Sequence, residues 1–164
     1  MPEDQAPQHR TMRRPEDSIG FLLWQAAHGW QRHLDQTLAP TGLTHLQFAI
    51  LMGTRFHARS GHTVSQAELA RWSKIHPMQV SQVVKTLVAK DLLTRLRRID
   101  DARSQSLELT PAGAALAETA LPLVEAAHAA FFAGFEQLEA PLRCLLRRIH
   151  EDASPGRGSE PTAQ

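Results

Sequence analysis

At 164 residues the chain has room for one folded domain, or for one domain with an added oligomerisation element, and its 42% hydrophobic content supports a core built mostly of Leu, Ala, Val and Ile. No apolar run approaches the roughly 20 residues of a bilayer-spanning helix, residues 1–16 lack the apolar stretch of a signal peptide, and the lone Cys144 cannot close an intrachain disulfide, which together imply a soluble protein of a reducing cytoplasm. The net charge of +1 does not by itself point to a nucleic-acid partner.

Residues 1–16 and 153–164 read as disordered tails around a single domain spanning 17–152. Ile19, Leu22, Leu23, Ala26, Ala27, Trp30, Leu34 and Leu38 recur at three- and four-residue steps, which predicts an amphipathic helix of about five turns, ended by Pro40 and Gly42. Thr44 with Gln47 forms a capping box for a second helix reaching about Phe56. Ser65 with Glu68 forms another, opening a short third helix, Gln66 to Ser73, with Leu69 and Ala70 facing inward. Pro77 suits the first position of a fourth helix, Pro77 to Lys90, where its missing N–H costs nothing. This helix buries Val80, Val83, Val84, Leu87 and Val88 and leaves Gln79, Ser81, Gln82 and Lys85 polar. Asp91 follows where a helix end often takes a left-handed residue.

A short strand, Leu92 to Arg97, then leads through a charged loop at 98–103 into an alternating strand, Ser106 to Leu109. Thr110 and Pro111 start a long helix with Leu116, Ala117, Leu121 and Val124 on its apolar side, and Pro122 inside it is expected to bend it or split it in two. A last helix carries Leu138, Leu142, Leu145, Leu146 and Ile149. The order is ααααββαα, a mainly α (α+β) chain with two short strands.

Helix, strand, cationic tip, strand is the order of a winged helix-turn-helix, in which a helix fills a major groove and a loop arginine reaches a minor groove. The charge distribution agrees. From Arg71 to Arg103 lie eight Lys or Arg and three acids, a net +5, while ten cations and fourteen acids leave the rest of the chain at −4. The first and last helices carry more apolar surface than a domain of about 80 residues covers. A second copy of the chain would bury Phe131, Phe132 and Phe135 and would set two recognition helices about 34 Å apart on a palindromic site.

From about Ile19 to Asp152 the chain resembles the MarR family of dimeric winged-helix regulators. The resemblance rests on Leu43-Thr44, Gln47-Phe48 and Leu51; on Ser65-Gln66-Ala67-Glu68-Leu69-Ala70; and on Val80, Ser81, Val83, Val84 and Leu87 followed by Leu92 and Arg95. Its most specific part is the wing: Asp101 and Arg103, then Leu107, Leu109, Thr110 and Gly113. Asp91 stands where the family usually has glycine, and Ala102 where the wing often has a second arginine.

The resemblance implies a DNA-binding lobe at 43–110 between dimerisation helices at 17–40 and 111–152. Pro77, Met78, Gln79, Ser81 and Gln82 would lie on the turns that reach base edges, with Lys85 on a phosphate. Arg103 and Arg98 would enter the minor groove from the wing, with Asp101 fixing the pose of Arg103. The start of the third helix at Ser65 would offer backbone N–H groups to a phosphate. A small aromatic or phenolic effector is implied in a cleft for which Trp24, His28, Trp30, His45 and Phe48 are the candidates. Ordinary surface polarity, or core packing for the last five, is the alternative at each position.

The implied protein is a ligand-responsive transcriptional repressor, a homodimer on a palindromic operator, with no enzymatic activity and no cofactor. A metal-responsive (zinc-type) regulator and a winged-helix module for protein partners are the alternatives. The first would need histidines distant in sequence, such as His45 and His128, to converge, since His28 and His33, like His57 and His62, are five apart, a spacing that does not stack two imidazoles on one helical face. No metal site is assigned. Cys144, beside Leu142 and Leu145, is expected to be a buried, unreactive thiol.

Overall fold

In the computed structural model, residues 14, 16, 18–97 and 105–152 are described. Helix α1 (Ile19–Leu38) starts where the Ser18 hydroxyl accepts the Phe21 amide and ends in a 3-10 turn, Ala39–Thr41, closed by Gly42 at φ 68°. Both capping boxes form as their sequence requires. Thr44 and Gln47 exchange side-chain and backbone bonds ahead of α2 (His45–Arg59), and Ser65 and Glu68 do so ahead of α3 (Gln66–Ser73). Pro77 is the first residue of α4 (Pro77–Ala89).

Helix α4 ends in a Schellman turn. Asp91 takes the left-handed conformation (φ 57°), its amide bonds the Val88 carbonyl, and the Leu92 amide reaches back to the Leu87 carbonyl at 2.9 Å. Leu87 and Leu92 are both buried, which supplies the apolar contact that goes with this turn.

The sheet has three strands rather than two. Strands β2 (Leu93–Arg97) and β3 (Gln105–Leu109) pair antiparallel from Leu93↔Leu109 to Arg97↔Gln105, and β1 (Val64–Ser65) adds to the other edge of β3 in the order β1-β3-β2. Two residues are too few to show alternation, and Ser65 doubles as the α3 cap, so β1 has no sequence signature of its own.

Helix α5 (Pro111–Phe131) is not split at Pro122. The proline leaves the Glu118 carbonyl without its helical donor, but Pro122 and Glu118 are both exposed, where water can replace the lost bond.

The chain forms two compact units, Met1–Ala127 and His128–Gln164. The core of the first gathers Leu38, Ile50, Leu51, Leu69, Leu87, Leu93 and Leu107, with Val64, Val80 and Val84, all at most 2% exposed. The second unit holds α6 (Glu139–Asp152), preceded by a turn at Gly134 and a 3-10 turn, Glu136–Leu138. There the expectation for Cys144 is corrected: its thiol is exposed, as are its neighbours Leu142 and Leu145. Among the described residues no helix is long and apolar enough to cross a membrane.

Candidate nucleic-acid interface

The recognition helix is held from behind. Val80, Val84 and Leu87 are fully buried, and Val83 and Val88 are half-buried against the same core. The opposite face is in solvent: Pro77, Met78, Gln79, Ser81, Gln82 and Lys85 are all exposed, Met78 at 69%. Steps of three and one align Met78, Ser81, Gln82 and Lys85 in one stripe along α4. This stripe combines an amide that can bond adenine in bidentate fashion, a hydroxyl, and a cation at the far end.

Two features of the neighbourhood lie beyond the sequence reading. At the start of α4, Pro77 has no N–H, and the amide of the next residue, Met78, donates to Nδ1 of His76 at 3.2 Å. A histidine is therefore the N-cap, a role that Ser, Thr, Asp and Asn fill far more often, which is why no sequence signal marked it. At the end of α4, Lys90 is turned away from the stripe, with its ammonium 2.8 Å from the Gly42 carbonyl and 3.3 Å from Gln47 Oε1. One of the eight cations of the basic segment thus ties α4 to the start of α2.

Ser65 is placed at the α3 N-terminus as expected, but its own amide donates to Glu68 Oε2 at 2.7 Å, and its hydroxyl accepts the Glu68 amide at 3.2 Å. The donors that a helix start leaves over are then the amides of Gln66 and Ala67. The base of the wing is anchored by one hydroxyl. Thr110 Oγ1 donates to the Asp91 carbonyl at 2.6 Å and accepts the Gly113 amide at 3.0 Å, while the Thr110 amide bonds the Leu92 carbonyl. Only glycine fits at 113, since a Cβ there would lie 1.9 Å from the Leu92 carbonyl oxygen. Arg95 is exposed on β2. Arg98, Asp101 and Arg103, the wing-tip candidates, lie outside the described residues.

The five effector candidates are not all brought together. Trp24 and His28 touch on the exposed side of α1, with ring centroids 4.3 Å apart and the His28 ring bonded to the Trp24 carbonyl. Trp30 is half-buried beside His33. His45 is bound elsewhere: its amide and its Nδ1 both meet Asp35 Oδ1, at 2.7 and 2.9 Å. Burial works to raise the pKa of the Asp35 carboxyl, but the His45 amide, ring and charge together hold it below the ordinary carboxylate value. Phe48 is in the core. A separate groove of about 420 Å³ is lined by Met52, Arg55, Phe56, Arg59, Ser60 and Leu121, and Arg55 also pairs with Glu118 at 2.9 Å. Next to it Phe56 and Trp72 stack while each remains about half exposed, with Trp72 lying over Gly53.

Comparison with known proteins places this geometry among regulators. Residues 39–126 match the family model described as the ArnR1-like winged-helix domain. The chain is 42% identical over 125 residues to the uncharacterized HTH-type transcriptional regulator YdcH of Bacillus subtilis, covering 76% of this chain and 85% of that protein. Its fold is similar to that of a mutant of MarR from E. coli complexed with operator DNA (TM-score 0.68, 25% identity, 80% of this chain and 92% of that one). It is also similar to BpsR of Bordetella bronchiseptica, whose DNA binding is regulated by 6-hydroxynicotinic acid (TM-score 0.69, 28% identity, 84% of this chain and 96% of that one).

Proposed function

The chain belongs to the MarR family of DNA-binding, winged-helix transcriptional regulators, and from that premise we propose that it is a ligand-responsive repressor that binds a palindromic operator as a homodimer in the cytoplasm. The observation that carries this reading is the polar stripe of α4, presented to solvent by a helix whose other face is locked in the core. In this reading 43–110 is the DNA-binding lobe, and 17–40 with 111–152 form the dimerisation lobe. Met78, Gln79, Ser81 and Gln82, with Pro77 before them, face the base edges; Lys85 and the α3 start at Ser65 face phosphates; Arg98 and Arg103, posed by Asp101, enter the minor groove.

Support for the dimer comes from unpartnered apolar surface within each unit. Ile19, Leu22 and Leu23 of α1 are 42–84% exposed, and Leu142, Leu145, Leu146 and Ile149 of α6 are 40–52% exposed. A two-fold axis between copies turns one recognition helix into a pair and a half-site into a palindrome. Occupancy of such a site represses when it overlaps a promoter. Of the effector candidates Trp24, His28, Trp30, His45 and Phe48, this reading keeps the exposed Trp24–His28 pair, since Phe48 is in the core and His45 is held by Asp35. An effector acts by preferring one spacing of the two recognition helices over another.

The test is a salt titration of binding to duplexes selected by the protein from a random-sequence pool, with unrelated DNA as competitor. Competitor-resistant binding to a palindrome is expected, and no binding at any salt concentration would sink the reading. On the same duplex, Arg103→Ala should weaken binding by about 1–3 kcal/mol, as for one lost groove contact.

A further inference from the structure

We propose that Met78 reads a thymine: its side chain packs against the 5-methyl group of one thymine of each half-site in the major groove. The inference rests on the reading of α4 as the groove-facing helix. Among the described residues only Ile19, at the first position of α1, is a more exposed large apolar side chain than Met78 at 69%. At roughly 100° per residue, Met78 lies about opposite Val80, Val84 and Leu87, the residues that α4 buries, so it is central on the outward face. It does not belong to the side chains packed on the core. Its backbone is held all the same by the bond from its amide to His76 Nδ1, so the side chain stands out from an anchored turn.

The chemistry of the stripe singles out the partner. Ser81 offers a hydroxyl, Gln82 an amide and Lys85 an ammonium, each able to hydrogen-bond a base or a phosphate. A thioether has no donor and is a weak acceptor, so Met78 gains from contact by covering apolar surface. The groups by which the four bases differ in the major groove are donors and acceptors with one exception, the thymine methyl. The position agrees. Recognition helices meet base edges with their N-terminal residues, and Met78 is the second residue of α4.

Deoxyuridine pairs as thymidine does and lacks only the methyl, so replacing thymines one at a time in a duplex selected by the wild-type protein maps the contact. One position in each half-site should respond, and its replacement in a single half-site should weaken wild-type binding about fourfold, as for one lost methyl contact. Met78→Ala should bind the thymine duplex roughly tenfold or more weakly, with an unchanged melting temperature, and should no longer distinguish deoxyuridine from thymidine at that position. Met78→Leu keeps an apolar side chain of similar volume and should retain the discrimination. The slope of log affinity against log salt should be the same in all three proteins, because no cation is lost.

If no single replacement affects the wild-type protein, the proposal is overturned while DNA binding stays intact. A sensitive thymine at which Met78→Ala loses as much as the wild type also overturns it, because another residue then covers the methyl. An equal loss in Met78→Ala on selected and scrambled duplexes would make Met78 a sequence-neutral contact and overturn it too. If the wild-type protein binds no duplex at all, the regulator reading falls first and this one with it.

Discussion

Helices α4 and α6 are written in the same pattern and end in opposite situations. Each has an apolar stripe at helical spacing and a polar face, but Val80, Val84 and Leu87 of α4 are sealed completely, whereas Leu142, Leu145, Leu146 and Ile149 of α6 stay 40–52% exposed. The difference lies in the surroundings. Helix α4 is met by α2, α3 and β2, while α6 meets chiefly the short turn before it within its unit. Amphipathic periodicity specifies that a face will be buried, not what buries it. The winged-helix unit covers the apolar face of α4 within the chain, whereas α6 leaves its own face exposed.

Three experiments test that contrast, beginning with the largest effect. Gly113→Ala should destabilise the winged-helix unit by more than about 3 kcal/mol in chemical denaturation, since the added methyl meets the Leu92 carbonyl, a backbone atom that cannot turn aside. A near-wild-type midpoint would show that the wing base yields more easily than its geometry implies. Next comes a matched pair. Leu87→Ala should cost about 3 kcal/mol of folding stability. Leu146→Glu should instead shift the monomer–dimer equilibrium in sedimentation at least tenfold toward monomer, about 1.4 kcal/mol, while the unfolding of the winged-helix unit is retained. If Leu146→Glu at high dilution unfolds the chain as readily as Leu87→Ala, α6 belongs to an intrachain core and the contrast fails.

The smallest effect concerns the tie between α1 and α2. The Asp35 carboxyl is held below its ordinary pKa, so the stability it contributes is complete above that ordinary value and is lost as pH falls through the lowered one. Asp35 is 44% exposed on its side chain, which limits the contribution to less than about 1 kcal/mol. Asp35→Asn should therefore lower stability slightly at neutral pH and lose the wild-type advantage below pH 4. Parallel pH profiles for the two proteins would remove Asp35 from the account.

What the sequence made legible follows from how local each signal is. Both capping boxes, Pro77 as the first residue of α4 and the left-handed Asp91 involve residues within four positions of one another, and all four were readable in advance. Strand β1 was not, because its pairing with Ser106 and Leu107 is a tertiary fact written in two residues. For Pro122 the sequence left a bend or a split open, and the split is absent because water can reach the exposed Glu118 carbonyl. Cys144 was misread because a stripe of leucines gives no indication of whether its cover is in the same chain. At the candidate interface, the polar stripe of α4 followed from periodicity. The His76 cap and the engagement of Lys90 by Gly42 and Gln47 did not, since histidine is an uncommon cap and Lys90 reaches a residue 48 positions away.

The hydroxyl of Thr110 has a mechanical consequence. It joins the turn after α4 to the first residues of α5, and glycine at 113 lets the two backbones meet without a side chain between them. Such a joint has little slack. The turn that ends α4 and the first turn of α5 are thereby fastened to one another at the base of the wing, with no side chain between to act as a spacer.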